Sequence, residues 1–119
     1  MPPRYLRFRE QFAEVLDERT HSIEWLDAQV YSGLMACWGN DKACLLTSIK
    51  QFPTGAFEVH VEVAAGDLDT LRSEVIKDVE AWARKIGALW TTIESRLAWM
   101  RLMKADGYHV HQVTLRKVA

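Results

Sequence analysis

Positive charge is not in surplus in this chain: fifteen lysines and arginines face sixteen aspartates and glutamates, a formal net charge of −1. That excludes the basic face with which a general nucleic-acid binder displaces counterions. Long apolar runs are missing as well, and none approaches the roughly 20 residues of a membrane-spanning helix. The N-terminal MPPRYLRFREQF carries arginines without the apolar core of a secretory signal. The expectation is a cytoplasmic protein with neither a membrane nor a nucleic-acid partner. Cysteine is scarce, with only Cys37 and Cys44, so a disulfide scaffold is excluded and both should be reduced thiols. A Gly-x-Ser-x-Gly elbow, a Walker loop and a Cys-x-x-Cys pair are all absent. There is no internal repeat, linker or low-complexity segment.

What is present is a globular composition. Apolar residues make up 49% and charged residues 26% of 119 residues, enough to bury one core without staples. Apolar positions 5, 8, 12, 15 and 16 predict an amphipathic helix from Arg4 to about Arg19. Ser22 or Thr20 caps a second helix with Ile23, Leu26 and Val30 on one face, stopping at Gly33. LMACW and ACLLTSI then flank the turn GNDK as a hairpin. With Asn40–Asp41 as a two-residue loop, Gly39 pairs with Lys42, Trp38 with Ala43 and Cys37 with Cys44. That is a wider-spaced, hydrogen-bonded pair, poorly suited to a disulfide.

After the break at Pro53 and Gly55, FEVHVEVAAGDLDTL predicts a strand running directly into a helix. Alternation puts Phe57, Val59, Val61 and Val63 on one face, with Glu58, His60 and Glu62 on the other. Leu68, Leu71, Val75, Val79, Trp82, Ala83 and Ile86 form the apolar stripe of the long helix, Glu80 lies on its polar face, and Gly87 stands at the C-cap. ALWTTIE is a strand, SRLAWMRLMKADG a shorter helix and YHVHQVTLRKV a last strand. Strand, helix, strand from 57 to 94 is a βαβ unit with parallel strands, whereas the hairpin and the last strand are antiparallel neighbours. The fold class is α+β, a mixed sheet flanked by helices, in a single domain over 1–119: a helical segment at 1–32 and a sheet core at 33–117.

This element order resembles the GNAT acetyltransferase superfamily. VEAWARKIGALWTTIES looks like that family's long helix and following strand, and RLMKADGYHVHQVTLRK like its last helix and strand. GLMACW, FPTGAFEVHVEVAAGDLD, SRLAWMRLMKADGY and VTLRK more closely resemble short, degenerate GNAT-like proteins of bacteriophages and gene-transfer elements. The family's acetyl-CoA turn reads Arg/Gln-x-x-Gly-x-Gly/Ala, with N–H groups and a helix dipole holding the pyrophosphate. Aligned on Gly66, the chain has Val63 for the Arg/Gln and Leu68 for the small residue, with Asp67 and Asp69 where the anion would lie. From Glu58 to Glu80 there are seven acidic and two basic residues, a poor setting for a polyanion. The family's general-acid tyrosine falls on Met103, which exchanges no proton, and an asparagine that often opens that helix falls on Arg96. Tyr108 is the nearest substitute.

The resemblance implies a non-catalytic GNAT-fold protein, phage- or prophage-encoded, with no cofactor. It would act through protein contacts with itself or with virion or host proteins. The alternative is a small active acetyl-CoA-dependent N-acetyltransferase, with Glu58, His60, Glu62 and Tyr108 as the candidate acid–base residues. The simpler reading of Glu58, His60 and Glu62 is a partly solvated strand face, on which the glutamates favour charged His60. His60, His109 and His111 would be the residues of a metal site, but their spacing marks no known ligand set, and no metal is expected.

Overall fold

The computed structural model describes residues 1–95 and 97–119. Four strands form one sheet in the order β1 (Ala36–Gly39), β2 (Ala43–Gln51), β3 (Phe57–Gly66), β4 (Thr91–Ile93). The first two pairings are antiparallel and β3–β4 is parallel, the expected hairpin followed by a βαβ crossover. Helices α1 (Pro3–Val15) and α2 (Ile23–Tyr31) cover one face. A long helix and the last helix (Leu97–Ala105) cover the other.

The N-terminal pair forms as its periodicity dictates. Tyr5, Phe8 and Phe12 are buried from α1, and Leu26 and Val30 from α2. Ser22 caps α2 by accepting the Trp25 N–H at 3.1 Å. Asp27 clasps the two helices together, accepting Tyr5 Oη at 2.5 Å and Arg9 Nη2 at 2.7 Å. α1 stops at Val15 because the Asp17 carboxylate turns the chain instead, accepting the backbone N–H and guanidinium of Arg19.

The long helix is continuous: α-helical Leu68–Thr70, a π turn Leu71–Val75, and α-helical Ile76–Ile86. Its buried stripe is Leu71, Val75, Ile76, Val79 and Ala83, packed on Leu45, Val59 and Val61 of the sheet. Trp82 sits at the margin of this core, half-buried and 5.3 Å from the Trp38 ring. Gly87, at φ 87°, supplies the left-handed C-cap. Arg72 ties on the last helix through Asp106 at 2.9 Å, and Met103 of that helix is buried in the core.

The structure corrects five local expectations. The hairpin is two residues out of the expected register: Gly39 pairs with Cys44, Trp38 with Leu45 and Cys37 with Leu46. Asn40 causes this, because its side chain accepts the Lys42 and Ala43 N–H groups and builds a longer turn. In β3 the pairing slips at Glu62, since Thr47 pairs with Val61 and Leu46 with Val63. This β-bulge turns Val63 away from Val59 and Val61 toward the α1–α2 core. β4 spans three residues, and its pairing with β3 ends at the Val61–Ile93 pair. Among the described residues no strand follows the last helix. Tyr108 is drawn to the long helix by donating to Glu80 at 2.7 Å, and residues 109–119 pair with no strand among the described residues. Glu80 is therefore the partner of a half-buried tyrosine and not a free polar-face residue. Arg96 lies outside the described residues.

Candidate functional site

Three features lie where the sequence places its site residues: a polar network on β3, a cleft at the end of β3, and the turn into the long helix.

Before the bulge, the even residues of β3 face away from the long helix. Glu58 and His60 are only 8% and 3% exposed, so this is a closed face and not the partly solvated one expected. β4 closes it, since its own alternation puts Trp90, Thr92 and Glu94 beside them. Thr92 donates its hydroxyl to Glu58, Trp90 Nε1 donates to Glu58 at 3.1 Å, and His60 Nδ1 lies 2.7 Å from Thr92 Oγ1. With the threonine proton committed to Glu58, His60 Nδ1–H is the donor to Thr92, which leaves Nε2 as the basic atom. Ser48 donates to Glu62 at 2.5 Å. Burial opposes ionisation of Glu58, but the hydrogen bonds from Thr92 and Trp90 outweigh it, aided by the Lys50 charge, and hold its carboxyl below the usual range. Burial, then the Lys50 charge, pull His60 below the ordinary histidine value against Glu62, Glu94 and Glu58. This reverses the expectation of a charged His60, because desolvation dominates. The assembly holds a neutral imidazole whose Nε2 is directed toward Glu94, 3.7 Å away.

Beyond the bulge the end of β3 lines a cleft of about 420 Å³. Ala64, Gly66, Leu68 and Leu71 form one wall, with Glu14 and Val15 of α1 and Trp99 opposite. At its end the turn is already occupied by protein groups. The Asp67 N–H donates to Lys42 O at 2.9 Å, while the Asp67 carboxylate accepts the Thr70 N–H at 2.9 Å and hydroxyl at 2.7 Å. These Thr70 bonds hold the Asp67 carboxyl below its usual range. Gly66, at φ 101°, is required by packing: a Cβ there would fall 2.4 Å from Lys42 O and 2.7 Å from Ala43 Cα. Leu68 lines the cavity, whereas Val63 packs toward α1 and α2.

The remaining candidates are dispersed. Tyr108 packs on the long-helix side of the sheet, opposite the Glu58 network, and burial first and the Glu80 bond second raise its hydroxyl far above the usual tyrosine range. His111 stacks near Trp90. Among the described residues no three histidine, cysteine or carboxylate side chains gather as a metal-ligand group, His60, His109 and His111 included. Thr92, Trp90 and Ser48 were not among the expected site residues. The Trp-x-Thr-x-Glu alternation in ALWTTIE, laid parallel to FEVHVE, was the available signal.

No sequence family and no curated protein matches the chain by sequence. Solved structures do match in shape. A probable acetyltransferase superposes with a TM-score of 0.70 at 8% identity, covering 100% of this chain and 96% of that one. The aminoglycoside 6'-N-acetyltransferase of Acinetobacter haemolyticus gives 0.67 at 13% identity, covering 100% and 94%. Glucosamine-6-phosphate N-acetyltransferase of Arabidopsis thaliana gives 0.64 at 12% identity, covering 93% and 88%. The mixed sheet with its flanking helices thus has the fold of the GNAT acetyltransferases. Among the described residues no helix is long and apolar enough to cross a membrane.

Proposed function

We propose that this chain is a GNAT-fold protein that transfers no acyl group and acts through contacts with other proteins or with a second copy of itself. The observation that carries this reading is the turn into the long helix. A coenzyme A pyrophosphate needs free N–H groups and a close backbone approach there. In this chain one N–H is spent on Lys42, Asp67 caps Thr70, and Asp67 and Asp69 put negative charge where the phosphates would lie. The residues do not suit the cofactor. Two further observations agree: Met103 is buried at the family's tyrosine position, and the Tyr108 hydroxyl is bonded to Glu80 on the wrong side of the sheet. Protein contact is favoured by large apolar side chains left in solvent, with Leu115 and Val118 each 90% exposed and Tyr31 79%. The resemblance to short phage and gene-transfer proteins points to a virion component, an assembly role or interference with a host protein.

The second reading, an active N-acetyltransferase, is favoured by the 420 Å³ cleft at the end of β3 and by the Glu58–Thr92–His60 network earlier on the same strand. One experiment separates them. A ligand at a hundred times its dissociation constant stabilises the folded state by about 2.7 kcal/mol, a melting shift of several degrees in a domain of this size. No shift is expected with acetyl-CoA, and a saturable one would overturn the non-catalytic reading. Should binding appear, the pair Asp67→Gly with Leu68→Gly locates it: tighter binding identifies this turn as the contact, and unchanged binding places the cofactor elsewhere.

A further inference from the structure

The two cysteines have no part in the reading above, and the observed hairpin register gives them a relationship that the expected one did not. Cys37 lies opposite Leu46 and Cys44 opposite Gly39, so the cysteines are diagonal neighbours on one face of β1–β2. Their sulfurs are 3.3 Å apart. The strands are drawn together at this point by Gly39, where a Cβ would fall 2.1 Å from Ala43 O and 2.8 Å from Cys44 Cα. Cys44 is fully buried beneath α1 and α2, whereas Cys37 is half-buried and within reach of small solutes.

We propose that Cys37 and Cys44 are a two-thiol modification site that a peroxide closes into an intrachain disulfide across the β1–β2 hairpin. Cys37 reacts first. The hydrogen bond from Cys44 favours its thiolate, burial opposes this, and the Arg4 charge supports it. Cys44 keeps its proton, because that same bond and then burial raise its thiol. The Cys37 thiolate attacks one peroxide oxygen, the O–O bond breaks, and hydroxide leaves to be protonated by solvent. Cys44 sulfur then attacks the Cys37 sulfenic sulfur. The S–S bond forms, the S–O bond breaks, and the hydroxyl departs with the Cys44 proton as a second water. Two thiols are oxidised by two electrons and one peroxide is reduced. The sulfurs need to close from 3.3 Å to about 2.05 Å, a displacement that side-chain rotation supplies at this separation.

The test treats the whole native chain with a small excess of hydrogen peroxide. The expected product has lost two hydrogens by intact mass, binds no iodoacetamide after unfolding, and regains both thiols on reduction. Trypsin cuts after Lys42, between the cysteines, so the peptides ending at Lys42 and Lys50 should stay joined until reduced. The closed loop should raise the melting temperature. A monomer in which Cys37 gains oxygen while Cys44 stays alkylatable would overturn the proposal, as would a Cys37-linked dimer. Cys37→Ser changes the half-buried partner and so keeps the fold; Cys44 should then resist peroxide. Oxidation of Cys44 at the wild-type rate in that variant would refute the Cys37-first order.

Discussion

The two halves of β3 are continuous in the chain and opposite in character. Before the bulge the odd residues Val59 and Val61 enter the long-helix core, while the even ones, Glu58 and His60, form a closed polar network with β4. From Val63 to Ala65 the assignment reverses, and the odd residues enter the α1–α2 core. Glu62, the extra residue, separates the two regimes. The difference teaches that one residue of bulge exchanges the faces of everything beyond it.

Deletions break the comparison most sharply. Removing Ala64 should move Ala65 opposite Leu45 and bring Asp67 into the place of Gly66, where a Cβ meets Lys42 O at 2.4 Å. No cooperative thermal transition is expected from that variant by circular dichroism. Removing Glu62 instead joins Val61 to Val63 against Thr47 and Leu46 without changing any other pairing. It should fold and lose only about 1–2 kcal/mol, mainly the Ser48 bond. If both deletions unfold the chain, the bulge does not separate the halves.

Next in size is the contrast between cross-strand partners. Leu46, opposite Val63, is fully buried, whereas Lys50, opposite Glu58, is exposed. Denaturant unfolding should show a loss of about 2–5 kcal/mol for Leu46→Ala and less than about 1 kcal/mol for Lys50→Ala. Thr92→Val keeps the shape but strips Glu58 and His60 of their shared partner, at a cost of about 1–3 kcal/mol. Thr92→Ser should restore most of it, and a Ser variant as unstable as Val would mean that the hydroxyl is not the group that matters.

The smallest effect is one of pH. His60 titrates below its unfolded value of about 6.5, so the unfolded chain takes up the proton first. Its contribution is complete above that value and is lost as pH falls through it toward the folded value. Melting temperatures compared between about pH 7.5 and pH 5 should fall further for wild type than for His60→Gln. Equal falls would show that His60 is not buried in its neutral form.

Much of the architecture is legible without coordinates. The apolar stripe from Leu71 to Ala83, the Ser22 cap, the Gly87 C-cap and the βαβ order lead to the observed sheet. These are local signals or follow from handed connections. The site is less legible, because its features depend on neighbours distant in sequence. Nothing in FEVHVEVAAG marks Glu62 as the extra residue, since polar–apolar alternation runs unbroken to Val63. His60 reads as a charged strand residue until β4 covers it. YHVHQVTLRKV has strand propensity, but the Tyr108–Glu80 bond directs the chain away from the sheet. Asp67 is the exception: its role as a helix cap was readable from the Asp67-x-x-Thr70 spacing.

Gly66 carries a consequence for how descent is traced through this fold. A glycine at the head of the long helix is ordinarily taken as the imprint of a bound nucleotide. In this chain the hairpin alone imposes it, through Lys42 and Ala43. A lineage that had abandoned the nucleotide would still be under selection to keep the residue. Its persistence across relatives would therefore date the sheet and not the chemistry. The position that records a lost or living ligand is its neighbour, Asp67, free to vary once phosphate no longer forbids a carboxylate.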